Sequence, residues 1–272
     1  MIFKSKIPAV PYIVWGAVFI IVPLILIAIF AFTDSSGSFT FMNVSEVAKF
    51  GTVFLRSGLL ALVATVVCLV MAYPLAFMMS RMNERYQSLF MMLIMLPMWM
   101  NYLLRTYAWM ALLENNGLIN KFFALFGLGP FQMINTEGAI VLGMVYNYLP
   151  FMALPLYTVM LKIDRSVIYA AQDLGAGFFA VFVRVVFPLS KPGVMSGITM
   201  VFVPAVSTFI ISRMLGGGTN LLVGDLIEQQ FLGNTYNPHL GSAISLVLMI
   251  FVLLSMALLN QFDADETEGM IV

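Results

Sequence analysis

The sequence predicts an all-α integral membrane protein with about six transmembrane helices, and three observations carry that prediction. Of 272 residues, 61% are hydrophobic and 10% are charged, against roughly 25% charged residues in ordinary soluble domains. Mean hydropathy is +0.99, so a chain of this length has too little polar surface to face water on all sides. Apolar stretches of spanning length recur along it, without the alternation of apolar and polar residues that a membrane β-barrel needs.

The first span covers about 10–32, behind Lys4 and Lys6. At ~1.5 Å per residue it is about 34 Å long, enough for a core of roughly 30 Å and longer than the apolar region of a secretory signal. Thr33-Asp34-Ser35-Ser36 lacks a small-x-small cleavage pattern, so the segment reads as a retained helix. Further spans follow at about 59–79, 89–113, 139–161, 193–211 and 243–259, and the whole reads as a single transmembrane domain. Pro23, Pro74, Pro97, Pro150, Pro155 and Pro204 interrupt these helices, a pattern that fits a cavity or a moving gate better than a rigid anchor.

Positive residues are retained on the cytoplasmic side. Lys4, Lys6, Arg81, Arg85, Lys162, Arg165, Arg184 and Lys191 share one side, and Lys49, Arg56, Arg105, Lys121 and Arg213 the other, which places both termini in the cytoplasm. The acidic tail, Asp263 to Glu268, is expected to be a solvated, disordered end.

The composition excludes several chemistries. Cys68 and His239 are the only residues of their kind, so neither a disulfide framework nor a Cys or His metal site is available. No HExxH, GxSxG or GxxxxGK[ST] pattern occurs, so no catalytic residue is assigned and no phosphate-binding loop is present. The formal net charge of +0 gives no sign of nucleic-acid binding. An ion-coupled secondary transporter would usually need carboxylates near the midplane or an inverted repeat, and neither is found.

The polar segment 164–188, between the fourth and fifth spans, is the most informative. Asp164 or Ser166 can cap a short helix, Ala170 and Ala171 favour it, and Gly175 and Gly177 can end it. A second short helix is expected over 179–187, stopping at Pro188. In Tyr169-Ala170-Ala171, Gly175-Ala176, Phe182, Phe187-Pro188 and Pro192-Gly193 this stretch resembles the cytoplasmic signature of the permeases of binding-protein-dependent ABC importers of type I. Tyr169 stands where that family usually has glutamate, while Asp173 keeps a carboxylate one turn on. The resemblance implies that Tyr169, Ala170, Ala171, Asp173, Leu174, Gly175 and Ala176 form a coupling helix that docks on an ATPase subunit.

Elsewhere the chain resembles the spermidine/putrescine subgroup of that family, specifically its first permease subunit. The similar stretches are Leu104 to Tyr107, Leu149 to Met152 with Pro155-Leu156-Tyr157, and Gly216 to Gln230. The resemblance implies an alternating-access permease in a bacterial cytoplasmic membrane. It would bind no cofactor itself, and ATP and Mg would sit in a partner ATPase dimer. A second permease subunit, or a second copy of this chain, and an extracytoplasmic substrate-binding protein would complete the importer.

A polyamine path should offer carboxylates and aromatic faces. Glu114, Asp225 and Glu228 are the preferred carboxylates, Tyr107 and Trp109 the preferred rings, with Asp34 and Tyr148 as further candidates. Arg105, inside the third span, is a functional position by default that could merely pair with Glu114 or a carbonyl. Arg213, which ends the fifth span, stands where polyamine-type relatives tend to carry an acid. Ferric ion, thiamine or an organic anion therefore stay open as alternative solutes.

Overall fold

The computed structural model describes residues 10–233 and 235–269. Lys4 and Lys6 lie outside the described residues, as do the side chains of the acidic tail. Apart from one isolated bridge between Thr33 and Phe39, all regular structure among the described residues is helical. Among the described residues, five helices are long and apolar enough to cross a membrane, and a sixth span exists if one sharply bent pair is counted as one. The chain divides into two compact units, residues up to 52 with 226–251, and 53–225 with 252 onward.

In the first unit, α1 (Val10–Gly16) runs through a wide turn, Ala17–Ile21, into α2 (Val22–Ala31). The span 11–31 carries no charge and buries almost nothing, as a helix facing lipid should. The wide turn directly precedes Pro23. A proline lacks the N–H of the helical ladder and its ring presses on the carbonyl four residues back, so a π turn there absorbs both problems. After α2 the chain turns tightly: Asp34 N–H donates to the Ser38 carbonyl at 3.0 Å and Thr40 N–H to the Phe32 carbonyl at 2.8 Å. The Asp34 carboxylate accepts from the backbone of Ser36, and these hydrogen bonds hold its carboxyl below the usual range. The short helix α3 (Met42–Val47) follows, and Asn43 donates to the Thr33 carbonyl at 2.9 Å.

The second unit holds most of α4 (Gly51–Arg81), then α5 (Glu84–Trp99), α6 (Tyr102–Leu113), α7 (Leu118–Ala124), α8 (Glu137–Leu161), α9 (Arg165–Asp173), α10 (Phe178–Val181), α11 (Phe187–Val206) and α12 (Ile210–Leu215). Its centre is the pairing of α8 with α11, where small residues let the backbones approach. A Cβ on Gly193 would lie 3.1 Å from the Pro155 carbonyl, and one on Gly197 would lie 2.5 Å from Met152 Sδ. From α4, Tyr73 shares a 2.7 Å hydrogen bond with Ser190. Gly143 of α8 is equally closed off by Leu215 and Ile211 of α12. Helix α13 (Val223–Leu232) crosses from the second unit to the first, and α14 (Pro238–Gly269) begins in the first and returns to the second.

Four expectations need correction. The third span is not one helix over 89–113: α5 and α6 meet at a 90° bend at Met100 and Asn101. Asn101 Oδ1 accepts from the Leu103 and Leu104 amides at 2.9 and 3.4 Å, so the new N-terminus caps itself inside the apolar stretch. Pro188 does not stop a helix. It follows a second π turn, Phe182–Val186, which repeats the device before Pro23 and keeps 178–206 continuous. That helix ends at Val206, so Arg213 sits on the separate α12 and does not close the fifth span. The tail is not irregular, because α14 continues as helix through Asp263 to Gly269.

Candidate functional site

Two places carry the residues singled out in the sequence. In the first, the side chain of Asp164 accepts from Ser166 N–H at 2.8 Å and starts α9. The Ser166 hydrogen bonds hold the Asp164 carboxyl below its ordinary value. The other end closes as a Schellman motif: Ala176 N–H reaches the Ala171 carbonyl at 3.1 Å, and Gly175 N–H the Gln172 carbonyl at 2.8 Å. That geometry needs Gly175 at φ +84°, a left-handed conformation that costs a side-chain-bearing residue about 1–2 kcal/mol.

None of the α9 residues is buried. Leu174 is 90% exposed, and Tyr169, Phe178 and Phe179 are exposed beside it. An exposed apolar patch of this kind marks a surface for a protein or a membrane. Behind it, Phe182 packs against Tyr73 and Phe77 of α4 at ring-centroid distances of 5.2 and 6.3 Å. The segment is thereby anchored to a long membrane helix.

The second place is the seam between α6, α8 and the junction of α11 with α12. Arg105 is 7% exposed, and its Nε and Nη1 are buried without a hydrogen-bond partner among the described residues. Its Cζ lies 5.8 Å from the Tyr102 ring centroid. Three and seven residues after Tyr102, Arg105 and Trp109 share its helix face. Tyr148 of α8 is buried and donates to the Pro204 carbonyl at 3.3 Å. Trp109 meets Tyr146 at 5.3 Å. A ring contact one turn after Arg105 thus ties its helix face to α8.

The expected pairing with Glu114 does not form: Glu114 is exposed at the end of α6, and its carbonyl accepts from Asn120 at 3.2 Å. Tyr107 is exposed on α6. Asp225 is 3% exposed and accepts from Leu222 N–H at 2.8 Å, holding the start of α13, where Val223 N–H also reaches Ser57 of α4 at 2.9 Å. Gly224 comes so close to the Ser207 and Thr208 carbonyls that a Cβ would sit 2.6 and 2.5 Å from them. Asp225 therefore lies by the α11 to α12 break, while Glu228 is half-buried one turn on in α13.

Sequence reasoning passed over Asn147 and Thr208. Asn147 is 2% exposed, donates to the Gly143 carbonyl at 2.8 Å and leaves Oδ1 without a partner. A lone amide inside the apolar run of the fourth span was the available signal. No group of His, Cys, Asp and Glu fit to hold a metal exists among the described residues.

Comparison with known proteins places this geometry. Residues 72–265 match the family of binding-protein-dependent transport system inner membrane components. The spermidine/putrescine transport system permease protein PotB of Haemophilus influenzae is 36% identical over 250 residues, covering 88% of this chain and 87% of that protein. PotB of Escherichia coli is 38% identical over 200 residues, covering 73% and 72%. A crystal structure of a bacterial ABC transporter for the acidic polysaccharide alginate shares the fold, with a TM-score of 0.77 over 96% of this chain and 94% of its own at 15% identity. The chain belongs to the family of inner membrane components of binding-protein-dependent transport systems, as an ABC importer permease crossing the membrane several times.

Proposed function

We propose that this permease carries polyamines, spermidine or putrescine, as a single transmembrane domain. The observation that carries the reading is the 36–38% identity to spermidine/putrescine permeases over most of the chain. Both termini lie in the cytoplasm, so α9 faces the cytoplasm and receives a groove on one subunit of an ATPase dimer. The ATPase holds ATP and Mg, and this chain binds no cofactor. A second permease subunit and an extracytoplasmic binding protein complete the importer. One solved neighbour is described as in complex with an alginate pentasaccharide-bound periplasmic protein, which supports such a partner. Tyr107, Trp109, Glu114, Asp225 and Glu228 contribute to the path. Exposed rings such as Tyr107 suit cation–π contact with an ammonium group.

Arg105 favours a second reading. A buried guanidinium without a carboxylate attracts anions and repels a polycation, as an organic-anion importer would require. Uptake of labelled spermidine into vesicles holding the chain with its cognate ATPase, second permease and binding protein separates the two. Saturable, ATP-dependent spermidine uptake supports the first, whereas uptake of a dicarboxylate in its place overturns it.

A further inference from the structure

A cleft of about 820 Å³ opens where α4 ends and α9 begins, lined among others by Ser80, Arg81, Glu84, Leu161, Asp164 and Arg165. Arg81 and Arg165 also line an adjoining cavity of about 240 Å³ with Phe77, Ile168 and Tyr169. The two arginines clasp each other's segments. Arg81 Nη1 donates to the Ile163 carbonyl at 3.2 Å, and Arg165 Nη2 donates to the Arg81 carbonyl at 3.0 Å. This uses backbone acceptors only. Arg81 Nε and Nη2 remain buried with no partner among the described residues, so two like charges stand together with donors unspent.

The acids nearby balance them in formal charge without pairing with them. Glu84 and Asp164 line the cleft, but neither makes an ion pair among the described residues, and Asp164 is committed to the Ser166 amide. The missing component is an anion with several oxygens arranged to meet a guanidinium fork, which is the chemistry of phosphate.

Position names the source of that phosphate. Arg81 ends the span 42–81 and Leu161 ends the span 137–161, so the cleft lies at the depth of lipid headgroups. Its flanks are apolar: Leu161 is exposed at the rim, Met78 is exposed one turn before Arg81, and the Phe77 ring lies 5.5 Å from the Arg81 guanidinium. Basic pockets between membrane helices at the bilayer surface take anionic headgroups in this way. We propose that this cleft binds the phosphate of an anionic phospholipid, whose acyl chains lie along α4 and the end of α8. The lipid would join the last turn of α4 to the first turn of α9. This goes beyond the transport reading and holds whichever solute is carried.

Native mass spectrometry of the full chain in mild detergent, titrated with phosphatidylglycerol or with phosphatidylcholine of the same acyl chains, tests it. Phosphatidylglycerol should be retained preferentially, and Arg81→Gln and Arg165→Gln should each weaken its retention roughly five-fold, as expected for one surface cation. Arg165 is exposed, so its variant should fold even if the Arg81 variant does not. Equal retention of both lipids, or phosphatidylglycerol binding unchanged in Arg165→Gln, overturns the proposal. So does an Arg165-dependent rise in melting temperature with inorganic phosphate that phosphatidylglycerol does not reproduce, which would make free phosphate the ligand. Loss of ATPase capture with lipid retention intact would assign the arginines to a carboxylate of that partner, and the lipid site falls.

Discussion

The segment around α9 and the seam around Arg105 solve opposite problems. In α9 the backbone is closed at both ends by its own caps, and the unmet surface is apolar and outside, at Leu174, Phe178 and Phe179. Around Arg105 the packing is closed, and the unmet group is a charge inside. The first arrangement is stable alone and gains by meeting another protein. The second is costly alone and improves only when an opposite charge or a water arrives.

That contrast can be broken most sharply at Gly175. Gly175→Val places a β-branched residue at φ +84° and opens the end of α9, although nothing lies within 4 Å to resist the side chain. Capture of the ATPase subunit and solute uptake should both fall by roughly ten-fold or more, from a strain of about 1–2 kcal/mol per left-handed residue added to the lost cap. Folding, read by melting of the purified chain, should change far less. A chain that melts early but still captures the ATPase would remove α9 from the docking surface.

Arg105 offers the reverse test. Arg105→Gln removes an uncompensated buried charge, so the isolated chain should hold its stability or gain about 1–3 kcal/mol. Spermidine uptake should meanwhile hold or rise, whereas uptake of an organic anion, if that is the solute, should drop about ten-fold, with Arg105→Lys keeping the wild-type behaviour. Thermal unfolding beside a transport assay decides this, and a large loss of stability in Arg105→Gln would mean that the guanidinium is part of the packing.

The smallest effect belongs to the N-terminal cap of α9. Asp164 has its carboxyl lowered by the Ser166 hydrogen bonds, so its contribution is present above the ordinary carboxyl value, about 3.9, and is lost as pH falls through the lower folded value. Protection of the Ser166 amide, its exchange relative to the intrinsic rate at each pH, should be unchanged between about pH 7 and 5 and should fall only below about 4. A change near pH 6 would point to a different group.

Much of this architecture was legible from the chain alone, for reasons that differ by residue. Apolar length exposes the spans because lipid imposes a minimum of about 20 residues on any helix that crosses it. The α9 segment was readable because Asp164, Ala170, Ala171 and Gly175 act locally, through capping and propensity. The 90° bend at Asn101 was hidden, since Pro97 signals a break without setting its angle. Pro188 misled because the π turn before it lets the helix pass. Whether Arg105 would find Glu114 depended on which way α6 faced, a tertiary outcome with no local signature.

The caps of α9 also have a mechanical meaning. Its nine residues form a strut about 13.5 Å long at ~1.5 Å per residue, closed at both ends and joined to the helix 178–206 by the short link around Gly175. A strut whose ends do not fray moves as one piece. A displacement of a few ångströms delivered at Leu174 would reach Phe182 and its aromatic contacts on α4 with little dissipation, and the stroke available to the gate would be set by the stiffness of a single glycine turn.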